Sequence, residues 1–311
     1  MAIQAATTRT KARTPKLGPL GRLDVGSGFM PYILVAPVIL VIIVVAVFPI
    51  INSIYSSFID SPLSPRGTFT GLSNYITVLS DAIFQGAIGT TLIFTVISVA
   101  LEAVLGLGIA LLINQMFPGR GLVRAAILVP WAFPTVVSAQ MWLLMYNDQT
   151  GVITYFLQSI HLLGAGNTLI SSSSGVVIAS IVTDVWKTTP FMALLLLAGL
   201  QVIPGELYEA ASVDGSSRWQ QFWTITLPML RNSFLIALLF RSLDAIRVFD
   251  LFYVFGQRSV QSMATYSGFN MFTGTPNDFA PGLASAVIIF IFGIIISLIF
   301  VSQMRGIMRQ D

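Results

Sequence analysis

Six apolar runs, at 32–51 and roughly 84–114, 121–146, 175–203, 232–256 and 281–304, govern what this chain can become. Each is long enough to cross about 30 Å of hydrocarbon as a helix. Backbone polar groups have no water to bond there, and a helix satisfies them within one segment. The predicted fold is all-α: a multi-pass protein of the cell membrane with about six transmembrane helices. Composition agrees, since only 9% of residues are charged and the mean hydropathy is +0.84, against about a quarter charged in soluble domains. The first run exceeds the roughly 7–15 apolar residues of a secretory signal, and no small-residue cleavage site follows it, so it is expected to stay as a span.

An even number of spans returns both termini to one side, and the basic residues indicate which. The tail over 1–29 holds Arg9, Lys11, Arg13, Lys16 and Arg22. Arg120 and Arg124 lie in a short link, Arg218 and Arg231 in a long one, and Arg305 and Arg309 at the end. These are eleven of the 16 Lys and Arg, whereas the opposite loops hold only Arg66 and Arg258. Both termini and the links 115–122 and 204–231 are therefore expected in the cytoplasm. Two regions result: a basic cytoplasmic tail over 1–29 and a transmembrane domain over 30–311. The +3 net charge thus reports orientation, and nucleic acid is not an expected partner. With no cysteine and the single histidine His161, disulfides, zinc–thiolate sites and iron–sulfur clusters are excluded, and no metal is expected in this chain.

The stretch ELYEAASVDGSSRWQQFWTITLP (206–228) is polar between two apolar runs. Leu207, Ala210 and Ala211 fall at helical spacing, Asp214-Gly215 reads as a stop, and Ser216 or Ser217 can cap a second helix. Trp219, Phe222 and Trp223 give that second helix an aromatic face. Two short helices around a glycine are expected outside the bilayer. An amphipathic hairpin resting on lipid is one reading. Glu206, Glu209 and Asp214 have the wrong sign for an anionic leaflet, which favours a protein partner. A carboxylate there can form a charge-assisted hydrogen bond with a basic partner.

Charges inside the spans point to pairing or to a pathway. Asp184 and Lys187, three residues apart, are expected to pair along one helix face. Glu102 has no basic neighbour in sequence and either bonds an adjacent helix or lines a polar cavity. Arg241, Asp244, Arg247 and Asp250 recur every third residue, a row that drifts around a helix. It reads either as an ion-pair ladder fastening neighbouring helices or, in part, as the lining of a polar path. Candidates for that path are Asp244, Phe249, Asp250 and Tyr253, with Gln140, Thr135 and Trp142 from the third run. Carboxylates and amides beside aromatic rings suit a hydroxyl-rich solute, although a tryptophan near a membrane boundary, as Trp142 is, is more often an interfacial anchor. The outer loops 56–83, 147–174 and 257–280 read either as solvated linkers or as a surface for an outside partner.

Glu209-Ala210-Ala211, Asp214-Gly215, Phe222, Ile225, Leu227 and Pro228 together resemble the EAA loop of ATP-binding-cassette (ABC) importer permeases. WKTTPFMALLLLAGLQVIPGELYEAA (186–211), LVPWAFPTVVSAQMWLLMYNDQTGVI (128–153) and VFDLFYV (248–254) resemble the maltose-type sugar permeases within that family. The resemblance spans about 30–305. It departs at LPMLRNS (227–233), where members often carry a further proline, and at FGQRSV (255–260), where they often carry glycines and a proline. The resemblance implies a coupling helix in which Glu209, Ala210, Ala211, Asp214 and Gly215 meet a cytosolic ATPase. Glu209 would be the polar anchor, the alanines would allow close approach, and Gly215 would make the turn.

It also implies the partners: a dimer of ABC ATPase chains, a second homologous permease forming a heterodimer, and an extracytoplasmic sugar-binding protein. The cargo it implies is a disaccharide such as trehalose or maltose, and similarity to actinobacterial disaccharide importers points to trehalose. The chain has no G-x-x-x-x-G-K-[ST] loop, so it is expected to be a non-catalytic permease subunit, with ATP and Mg bound by the partner. Two alternatives stand beside this. One is an ion-coupled secondary transporter with Glu102, Asp244 and Asp250 as relays, although the sequence shows no inverted repeat. The other is a membrane scaffold that recruits a cytosolic protein without transport.

Overall fold

A computed structural model describes residues 30–164 and 166–308; the basic tail over 1–29 and Arg309 lie outside the described residues. Its regular elements are helices, and extended chain pairs only in an isolated antiparallel bridge between Ile59 and Phe69 among the described residues. The protein is thus an all-α, multi-pass membrane protein. Two compact units meet in the chain between Asn52 and Ser53.

The first unit begins with α1 (Met30–Ile42), which passes through a π-helical stretch, Ile43–Val47, into α2 (Phe48–Ser56). The second unit holds α3 (Ser73–Ser80), α4 (Ala82–Asn114), α5 (Arg120–Ala132), α6 (Thr135–Met145), α7 (Val152–Ser159) and α8 (Ser173–Leu200). It continues with α9 (Gly205–Val213), α10 (Arg218–Gln221), α11 (Leu227–Ala245), α12 (Asp250–Phe255), α13 (Met263–Phe272) and α14 (Phe279–Met308). Pro31–Ser56, Ala82–Asn114, Ser173–Leu200 and Pro276–Gly306 are each long and apolar enough to cross a membrane.

The other two expected spans are broken. The run 121–146 is α5 and α6, bent by 88°. Proline disfavours the α conformation in the residue before it, and Phe133, ahead of Pro134, is extended at ψ 141°. The run 232–256 is the later part of α11 followed by α12, with residues 246–249 between them. α11 carries Arg231, Arg241 and Asp244 within its 19 residues, too many charges to face hydrocarbon. The break falls between Asp244 and Asp250, so Asp250 opens α12 instead of continuing the row along α11.

Lipid tails are as apolar as leucine, so these helices are held by close packing and buried polar links. Ala103, Ala110, Met192, Leu196, Leu230 and Ala237 are buried together where α4, α8 and α11 meet. Phe94, Ala139, Tyr146, Ala179 and Phe252 join α4, α6, α8 and α12, with the Phe94 and Phe252 rings edge-on at 5.5 Å. Val78, Phe84, Met263, Tyr266 and Ala284 join α3, α4, α13 and α14.

Two of the outer loops are folded segments, which excludes the solvated-linker reading for them. Asp60 accepts from the Thr68 N–H at 2.7 Å and from its hydroxyl at 2.9 Å. The Asn74 amide donates to the carbonyls of Ser57 and Ile59. Tyr266 donates to Asp81 at 2.7 Å, and the Met263 N–H donates to Thr91 Oγ1 at 2.9 Å. The loop after α2 is thereby fastened to α3, and α13 to α4 and its capping Asp81.

Candidate functional site

Pro204 caps the start of α9, so only residues 201–204 separate it from α8. α9 closes through backbone bonds: the Ser216 N–H donates to the Ala211 carbonyl at 2.9 Å and the Gly215 N–H to the Ser212 carbonyl at 3.1 Å. This is a Schellman closure, which needs a left-handed residue, and Gly215 supplies it at φ 79°. Ser217 then caps α10. Its Oγ accepts from the Gln220 N–H at 3.3 Å, while Gln220 Oε1 accepts from the Ser217 N–H at 2.8 Å. From Arg218 the helix runs through a π-helical stretch, Phe222–Thr226, directly into α11. The polar link is therefore a hairpin over 205–221, and its remaining residues already belong to the next long helix.

Two side-chain braces cross the hairpin. The Tyr208 and Thr226 hydroxyls lie 2.9 Å apart. Buried Gln221 donates from Nε2 to Ser212 Oγ at 2.9 Å and to the Ser216 carbonyl at 3.2 Å. These bonds fix α9 to the base of α11. Outward, Glu206, Glu209, Ala210, Asp214 and Gly215 are exposed and Ala211 is half-buried. Trp219, Phe222 and Trp223 form one ring cluster with centroids 5.2, 5.7 and 6.0 Å apart. A groove of about 480 Å³ lies beside them, lined by Leu111, Asn114, Tyr208, Arg218, Trp219 and Phe222.

Farther along α8 and α11, three carboxylates meet one arginine. Arg241 is 2% exposed. Its Nη2 donates to Glu102 of α4 at 2.8 Å and to Asp184 of α8 at 3.0 Å, and its Nη1 donates to Asp244 at 2.5 Å. Thr188 adds a hydroxyl to Glu102 at 2.6 Å. A guanidinium can do this because it presents five N–H donors in a fixed fork. All the ion pairs among the described residues converge on Arg241. Beside it a polar cavity of about 110 Å³ is lined by Thr135, Asp184, Lys187, Thr188, Asp244, Arg247, Phe249 and Asp250.

This arrangement corrects one expectation and decides between the alternatives left open for two others. Asp184 makes its ion pair with Arg241 across helices, and Lys187 lines the cavity instead of pairing along α8. Glu102 bonds two neighbouring helices, resolving the choice left open for it. The four-charge ladder does not form: Arg241–Asp244 is a pair, whereas Arg247 donates to the Leu243 carbonyl and Asp250 opens α12. Arg247 is exposed, alongside Ile289, Gly293 and Leu298 in the middle of α14.

Of the proposed path residues, the structure brings Asp244, Phe249, Asp250 and Thr135 to one cavity. Tyr253 stacks on Phe249 at 5.3 Å and on Phe269 at 5.6 Å, so much of its ring surface is already engaged. Gln140 is exposed on α6, away from that lining. Trp142 packs with Tyr146 and Trp186, as a core residue does. Sequence reasoning missed the braces Tyr208, Ser212, Gln221 and Thr226 and the convergence on Arg241. A glutamine buried beside two tryptophans was the one local clue.

Residues 102–308 match the family described as binding-protein-dependent transport system inner membrane component. The chain is 38% identical to the trehalose/maltose transport system permease protein MalF of Thermococcus litoralis, over 98% of each chain. It is also 38% identical to the trehalose transport system permease protein SugA of Mycobacterium tuberculosis, over 88% of this chain and 87% of that one. The fold is similar to a chain of a bacterial alginate ABC transporter solved with an alginate pentasaccharide-bound periplasmic protein. The TM-score is 0.76 at 22% identity, covering 91% of this chain and 96% of that one.

Proposed function

This chain belongs to the family of binding-protein-dependent transport system inner membrane components, and we propose that it is the transmembrane subunit of an importer carrying a disaccharide of the trehalose or maltose kind. Hydrolysis of ATP is the task of separate ATPase chains, and this subunit converts their motion into opening and closing of a path. The observation that carries the reading is the braced hairpin. It offers an exposed Glu209 and small residues outward, while hydrogen bonds hold its inner side to α11. The distribution of arginines supports a cytoplasmic position for it. Glu209, Ala210, Ala211, Asp214 and Gly215 then form the ATPase contact, and the outer segments receive a sugar-binding protein.

The cargo follows from the two relatives at 38% identity, both named for trehalose transport. A cavity of about 110 Å³ is well below the roughly 300–1,000 Å³ of a small-molecule site. Asp244, Phe249 and Asp250 therefore form one wall of a chamber that a second permease subunit completes. The exposed Arg247 supports this, because a guanidinium beside the middle of the membrane helix α14 faces a partner or water rather than lipid. Ion-coupled transport is disfavoured because Glu102, one of its required relays, is bound by Arg241 and Thr188.

The test is purification of the complex from its native membrane with and without Glu209→Lys. ATPase chains should co-purify with the unsubstituted protein and fall by about tenfold or more in the variant, since reversing a charge at a contact opposes docking. Insertion and the second permease should be retained. A Glu209→Lys chain that keeps its ATPase partner would contradict the proposed contact.

A further inference from the structure

We propose that Arg241 is a positioning residue of the transport cycle: by tying α8 to α11 it closes α8, the hairpin and α11 into a frame that delivers motion from the hairpin to the cavity. The inference rests on the importer reading above. α8 and α11 flank the hairpin and are already tied near it. A Cβ on Gly199 would fall 2.5 Å from that of Ser233, so the two helices touch there, and Tyr208–Thr226 and Gln221–Ser212 brace the hairpin itself. Arg241 ties them a second time. It stands fourteen residues beyond Leu227, and its partner Asp184 sixteen before Leu200, about 21 and 24 Å along the two helices.

Each side of the frame has a soft point between the hairpin and this second tie. In α8 it is Pro190, whose ring removes a backbone hydrogen bond. Leading into α11 it is the π-helical stretch Phe222–Thr226, a departure from α geometry of the kind often found at functional sites. Tied at one end only, the frame would absorb a push on the hairpin by bending at Pro190. Tied at both, neither helix bends without the other. The second tie also adjoins the cavity, because Asp184, Thr188 and Asp244, all bonded to Arg241 or to Glu102, line it. Stability alone does not call for such a tie, since buried ion pairs are often replaceable by apolar side chains.

The experiment uses the complete importer in lipid nanodiscs with sugar-loaded binding protein. Lysine keeps the charge but not the fork, so Arg241→Lys should assemble and retain unstimulated hydrolysis within about twofold, while sugar stimulation falls by about tenfold or more. The chain has no cysteine, so with the partner chains also made cysteine-free, and with Glu102→Gln so that no buried carboxylate is stranded by loss of the guanidinium, an Asp184→Cys/Arg241→Cys pair can be joined specifically. Stimulation should be absent with the thiols reduced and return when a short bifunctional cross-linker joins them. A purely structural arginine would change the yield of complex and leave the ratio of stimulated to unstimulated hydrolysis untouched. A wild-type ratio in Arg241→Lys, or a cross-linked pair no better than the reduced one, overturns the proposal. Absence of stimulation in the unsubstituted complex overturns instead the importer reading beneath it.

Discussion

Gly215 shows how much one residue settles. Its φ of 79° lets α9 end and Ser217 start α10 within three residues, and a side chain in that conformation costs about 1–2 kcal/mol. Gly215→Ala should therefore loosen the turn locally. Hydrogen exchange at the hairpin amides of Ser216 and Gln220 should speed up by about 5- to 30-fold, with the amides of α4 and α8 unchanged. Exchange equal to the unsubstituted protein would mean that the turn is held by something other than its glycine. This turn was legible in the sequence because its signals are local: Asp-Gly, then a serine followed three residues later by a glutamine. Arg241 was not, since Glu102 lies 139 residues away and Asp184 57. Sequence spacing reveals only partners on the same helix, and here it suggested Lys187 where the structure supplies Arg241.

Among the elements, the spans were legible wherever hydropathy and length agree, as in α4, α8 and α14. The breaks were not, although Phe133-Pro134 is a local sign of one. The departure FGQRSV lies just beyond the other, in the same stretch of chain. The folded outer segments escaped notice because their order comes from side chains reaching back to the backbone, a pattern without periodicity. Asp60 is an example with a pH signature. The Thr68 N–H, and then its hydroxyl, hold the Asp60 carboxyl below its ordinary value of 3.8. A group whose folded value is depressed stabilises above the unfolded value, and that contribution is lost as pH falls through the folded one. Protection of the Thr68 amide should therefore persist at neutral pH and fall away as the solution is acidified below the ordinary carboxylate range. A protection factor indifferent to pH from neutrality to well below the ordinary carboxylate range would contradict this role.

For the whole molecule, a polar hairpin and a charged cavity are joined by two helices that touch near the hairpin and are tied again at Arg241. Neither end is complete alone: the hairpin exposes a carboxylate with no partner among the described residues, and the cavity is too small for a disaccharide. Both gaps fit a subunit that works inside a larger assembly and takes its energy from outside the membrane. The central claim is that this energy is ATP. It is tested most directly by reconstituting the chain with its co-purifying permease and ATPase in liposomes and measuring accumulation of labelled trehalose. The account predicts accumulation that requires ATP on the hairpin side and binding protein on the other, and that survives collapse of the ion gradients by ionophores. Accumulation driven by a proton or sodium gradient without ATP would contradict it.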